Sequence, residues 1–175
     1  MIEGTRPGWY AITTRFKCEK HVAAQLQRKG IEVYVPLLTR TKRYTRKIKT
    51  YQVPLISCYV FVRIGKREMV RVLETPHVVD FVRFDGKVAG VREHEIALLK
   101  RIVGEVRQLS AEPRSWLKGD RVEIVSGGLT GIQGVLIERQ GRHEVVVELD
   151  SLGYQMCMTI DMHMLRRIDV LEQVV

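Results

Sequence analysis

The chain has 175 residues, 45% of them hydrophobic and 28% charged, with a formal net charge of +9. This is the composition of a soluble globular protein, long enough for one large or two small domains with cores of their own. No apolar run reaches the ~18 residues of a membrane span, and Met1 to Gly8 lacks the apolar stretch of a signal peptide, so a cytoplasmic protein is expected.

Trp9 to Thr14 has strand composition. Cys18, Val22 and Leu26, with Ala23 beside them, fall at helical spacing and predict a helix over 17–29. Gly30 follows as its C-terminal cap, and Arg28 and Lys29 suit the negative end of the helix dipole. Ile31 to Val35 reads as a strand closed by Pro36. Arg40 to Lys49 is strongly basic, has no acid, and is expected to be a β-hairpin with its tip near Thr45-Arg46-Lys47. Ser57 to Ile64 is a strand whose nearly continuous apolar run predicts cover on both faces. Lys66 to Glu74 reads as a short helix that Pro76 bars from continuing. Val78 to Phe84 is a strand followed by a turn at Asp85-Gly86. Glu93 to Val106 is a helix striped by Ile96, Leu99, Ile102 or Val103, and Val106.

This order predicts an α+β fold: an N-terminal antiparallel sheet with packed helices over 1–106. Periodicity then stops, and 107–115, with Pro113, reads as a linker. From 116 to 175 five short strands, punctuated by Gly127, Gly128, Gly131 and Gly134, predict a small β-barrel. Charge divides the same way. The first 105 residues carry 21 Lys and Arg against 10 acids, the remainder 8 against 10. A polyanion is therefore the expected partner of the first part and a different partner that of the second.

Chemistry-bearing groupings are sparse. Cys18, Cys58 and Cys157 stand apart, without a Cys-x-x-Cys, and read as reduced thiols. The five histidines are scattered, and Leu98 stands where His94-Glu95 would need a second metal ligand. No metal, no cofactor and no catalytic group is expected, and the chain does not read as an enzyme. Within Tyr59-Val60-Phe61-Val62, Tyr59 and Phe61 share one face and the valines the other. The aromatics are expected to face outward, because aromatics are enriched at interfaces and valines can fill a core; a core role for Phe61 is the alternative. Arg15, Lys17 and Lys20 are placed to approach nucleic acid, solvated surface being the plainer reading of each.

Trp9-Tyr10, the following helix, Val35-Pro36, Pro54-Leu55 and Tyr59-Val60-Phe61-Val62 together resemble the N-terminal domain of NusG-type transcription factors. Gly119 to Gly127, with Gly131 and Gly134-Val135, resembles the KOW motif, an SH3-like barrel. The resemblance implies an elongation and antitermination factor that docks on the clamp helices of RNA polymerase and bridges the DNA cleft. Tyr59 and Phe61 match the family's docking aromatics, and Ile56 stands where relatives often carry phenylalanine. Gly119, Gly127, Gly131 and Gly134 would be structural, supplying turns and close backbone approach. The barrel would recruit a second partner, a ribosomal protein or Rho, and the protein would be a monomer. Only Gly30 joins the first helix to the next strand, a compact form similar to specialised paralogues of the RfaH and capsule-locus antiterminator type. An RNA-binding or ribosome-associated KOW protein is the alternative.

Overall fold

The aromatic and β-branched start of the chain forms strand β1, Gly8–Thr14, the centre of the first sheet. The computed structural model describes residues 7–84, 86–105, 109–114, 119–139 and 142–168. In it the chain divides into two compact units, Met1–Ala97 and Leu98–Val175. No described helix is long and apolar enough to cross a membrane.

In the first unit, β1 leads to helix α1, Glu19–Arg28. The helix starts later than periodicity predicts because Lys17 has φ +62° and cannot join it. It ends at Gly30, φ +76°. There the Ile31 and Gly30 N–H groups donate back to Leu26 O and Gln27 O, at 3.1 and 2.9 Å, which satisfies two terminal carbonyls. Then come β2 (Glu32–Tyr34), the hairpin strands β3 (Leu37–Tyr44) and β4 (Lys47–Pro54), and β5 (Tyr59–Ile64). A 3₁₀ turn leads into the short helix α2, Met69–Leu73. The strands β6 (Val78–Phe81), β7 (Arg83–Phe84), β8 (Lys87–Val88) and β9 (Gly90–Val91) precede helix α3, Glu93–Glu105.

The sheet runs β2-β5-β1-β6, all antiparallel, with β9 also paired to β1. One face carries Tyr10, Ile12, Val60, Val62, Ile64 and Phe81, and on it pack Val22 and Leu26 of α1 and Val72 of α2. Burying such side chains stabilises the unit by about 1.5–3 kcal/mol each. The helical stripe read from sequence is the stripe that packs. The two helices are tied together, since Lys29 Nζ donates to Arg71 O and Thr75 Oγ1, at 3.0 and 2.7 Å.

Two expectations need correction. Val78 to Phe84 is not one strand. At Val82 the backbone leaves the sheet: its N–H donates to Ala11 O and its carbonyl accepts from Ala89, so β7 pairs with β8 instead of β1. Asp85 of the expected turn lies outside the described residues. The second correction concerns the linker 107–115. Residues 106–108 and 115–118 are outside the described set, but Leu109–Pro113 is a strand, β10, paired along its length with Tyr154 to Met158. A proline is tolerated there because β10 is an edge strand.

The second unit holds β11 (Asp120–Ile124), β12 (Gln133–Arg139), β13 (Arg142–Leu149), β14 (Tyr154–Thr159) and β15 (Leu165–Arg167). These are the five strands that alternation predicts. With β10 they form an antiparallel sheet in the order β10-β14-β13-β12-β11-β15. Val122, Ile124, Val145, Leu149, Met156 and Met158 are buried in it. The later part of α3 belongs to this unit as well: Arg101 donates to Gly128 O and Thr130 O, at 3.0 and 2.9 Å. The division of the chain therefore falls inside α3, not after it.

Candidate functional site

The connection from β1 to α1 holds Arg15, Lys17 and Lys20, all exposed, with Phe16 between the first two. Phe16 is 67% exposed, and Lys17 Nζ lies 5.2 Å from the centre of its ring. The loop is fixed by backbone: Thr14 N–H donates to Cys58 O and Arg15 N–H to His77 O, at 2.8 and 2.9 Å. Lys17, Cys58 and His77 are the described non-glycine residues with positive φ, at +62°, +65° and +73°. Two of these three strained residues thus hold the loop that contains the third. Strain of this kind persists where surrounding contacts over-determine it, and it concentrates at working surfaces.

Glu19 supplies one such contact. It is 3% exposed, and its Oε1 accepts the Cys58 N–H at 2.7 Å from the first turn of α1. Burial, the Glu19 carboxylate and Cys18 all push the Cys58 thiol up, away from the reactive thiolate. Beside the loop lies a shallow cavity of about 360 Å³, lined by Phe16, Lys17 and Lys20 on one side and Gln52, Val53 and Pro54 on the other. Cations, an accessible ring and an open apolar cleft can hold a phosphate backbone and a flat ring; they offer no general acid or base pair. Among the described residues no three His, Cys, Asp or Glu are grouped to bind a metal.

The other predicted site lies on the second face of the sheet. Tyr59 and Phe61 do point away from the helix-covered face that holds Val60 and Val62. The outward expectation nevertheless fails for Phe61, which is fully buried, and Ile56 is 2% exposed. Tyr59 is half-buried. Phe61 stacks on Tyr34 with ring centres 6.2 Å apart, and burial raises the Tyr34 hydroxyl to about 12. At the far end of this face Trp9 Nε1 donates to Glu93 (3.3 Å), and Arg63 pairs with Glu32 (3.4 Å) and Glu93 (3.8 Å). The continuous apolar run of β5 reports this double cover, and that signal outweighs the enrichment of aromatics at interfaces.

In the second unit Gly127 and Gly131 have φ of +80° and +87°. A Cβ on Gly119 would lie 2.1 Å from Leu136 O, and one on Gly134 would lie 2.6 Å from Val146 O. Gly119 and Gly134 admit only glycine without backbone movement, and the positive φ of Gly127 and Gly131 favours it. Sequence reasoning passes over Phe16 and Glu19. The alternation Arg15-Phe16-Lys17 is a legible signal for the first; nothing local marks the second.

Comparison with protein families matches residues 7–100 to the family described as "Transcription termination factor nusG". The chain belongs to the NusG family. The match spans the first sheet, the hairpin β3–β4 and both groups of N-terminal site residues, whereas β10 to β15 lie beyond it. Among solved structures, one of Thermotoga maritima NusG concerned with domain interaction is 21% identical, with a TM-score of 0.56 over 94% of this chain and 98% of that one. That likeness supports the NusG-like α+β fold. Two conformations of an MjSpt4:Spt5 complex are each 18% identical with TM-scores of 0.32, covering 92% of this chain and 98% and 97% of theirs. No curated protein sequence matches the chain. As a member of the NusG family, the chain is of a class of transcription factors, not of enzymes.

Proposed function

We propose that this NusG-family chain is a transcription elongation and antitermination factor that binds RNA polymerase through its first unit and lowers pausing or termination. The observation that carries this reading is the family match, which covers the whole first sheet and the strained cationic loop beside it. On the polymerase side the contact centres on Tyr59, the half-exposed member of its group, Phe61 and Ile56 being buried. The clamp helices of the polymerase would supply the complementary apolar face. Arg15, Lys17 and Lys20 hold the DNA of the elongation complex through its phosphates, giving affinity without much sequence reading.

The second unit is a KOW barrel in this reading. Its glycines at tight approaches are structural, and its near-neutral charge suits recruitment of a protein, a ribosomal protein or Rho, better than nucleic-acid binding. The compact joint at Gly30 supports a specialised paralogue, and the protein works as a cytoplasmic monomer. A direct test is capture of polymerase from the native host by the immobilised full chain, with ribosomal RNA measured in the same eluate. Polymerase retained by the wild type and lost with Tyr59→Ala supports the proposal. Ribosomal RNA retained in place of polymerase would point to an RNA-binding or ribosome-associated protein.

A further inference from the structure

The hairpin β3–β4 is an arm with one charged and aromatic face. Every residue from 39 to 52 is exposed, and the stretch holds six cations and no acid. The register sorts them. In an antiparallel pair, residues directly opposite share a face, and every second residue returns to it. Arg40 stands opposite Tyr51, Lys42 opposite Lys49 and Tyr44 opposite Lys47. One face therefore carries four cations and two tyrosines in three successive rows about 7 Å apart. The other carries Thr39 with Gln52, Thr41 with Thr50 and Arg43 with Ile48, a single cation.

Tyr44 and Tyr51 are 47% and 40% exposed, and Lys42 Nζ sits 5.2 Å from the centre of the Tyr44 ring. Lys42 and Lys49 are like charges directly across from each other, an arrangement that weakens an isolated hairpin. Lysines also keep exposed ribbons from pairing with other chains. That purpose calls for charge along the edges, not for one face loaded with cations and rings while its reverse is threonine and isoleucine. Cations spaced along a backbone with aromatic rings between them are the elements that hold single-stranded nucleic acid, the rings stacking on unpaired bases and the cations meeting phosphates.

We infer that the face formed by Arg40, Lys42, Tyr44, Lys47, Lys49 and Tyr51 binds single-stranded nucleic acid, as a surface separate from the β1–α1 loop. The inference needs no polymerase and stands apart from the proposal above. The test measures fluorescence anisotropy of a short labelled single-stranded oligonucleotide, as DNA and as RNA, and of the matching duplex, with the full-length protein. Both single strands are expected to bind more tightly than the duplex. Tyr44→Ala with Tyr51→Ala should weaken single-strand binding by about tenfold or more while leaving the salt dependence unchanged. Lys42→Gln with Lys49→Gln should lower the slope of log affinity against log salt by about 1.4, two phosphates at ~0.7 each. Arg43→Gln with Arg46→Gln removes the same charge from the reverse face and the turn and should change affinity by less than about threefold. Equal losses from the two charge pairs, tighter binding of the duplex, or unchanged binding by the tyrosine variant would each overturn the inference. All the substituted side chains are exposed, so the core is untouched by them.

Discussion

At the scale of single residues, the loop between β1 and α1 depends on Glu19 more than on its cations. The carboxylate is buried, and it satisfies an N–H on a residue held at positive φ. Glu19→Ala leaves that donor unpaired, at a cost of about 1–3 kcal/mol. We expect a lowered melting temperature, measured by circular dichroism, and a smaller loss for Glu19→Gln, whose amide oxygen can still accept. Tyr34 gives a second test through pH. Burial raises its hydroxyl from 10.0 to about 12, so the folded state favours the protonated form. Unfolded chains lose this proton first as pH rises. The contribution of Tyr34 is therefore intact below pH 10.0 and disappears as pH climbs toward about 12. Denaturant titrations across that window should show a steeper alkaline loss in the wild type than in Tyr34→Phe. Sequence made the facing of Tyr59, Val60, Phe61 and Val62 legible, since alternation is local. What lies over each face comes from residues far along the chain, and the burial of Phe61 was legible only through the unbroken apolar run.

At the scale of elements, α1, β1, β5 and the five strands of the second unit follow directly from hydrophobic period. β10 does not. Leu-Ser-Ala-Glu-Pro has one large apolar side chain and a proline, and it becomes a strand because the β14 edge offers backbone partners along its whole length. Tertiary pairing overrides composition here. It follows that the second unit does not begin at residue 116. A fragment of 116–175 exposes the edge of β14, where Met156, Cys157 and Met158 are buried, and an unprotected edge of that kind promotes association. A fragment of 98–175 keeps β10 and the part of α3 that belongs to this unit. Sedimentation and thermal unfolding should find the longer fragment monomeric and cooperative and the shorter one associated or without a transition. The same results from both would mean that β10 adds nothing to the unit.

At the scale of the whole molecule, the two units differ in charge as they differ in fold. The excess of cations lies in the unit that matches the NusG family, and the near-neutral sheet lies beyond the match. In the function proposed above, that difference would divide the labour: the first unit would act on the transcribing polymerase and its nucleic acid, and the second would bring a further protein. The most direct measurement is the dwell time of RNA polymerase from the native host at defined pause sites, in a purified transcription system with the full chain added. Shorter dwell times are expected with the wild type. That effect should be lost with Tyr59→Ala and with charge reversal at Arg15, Lys17 and Lys20, and residues 98–175 alone should have none. Unchanged dwell times with folded wild-type protein, or pause suppression by residues 98–175 alone, would contradict the proposed function.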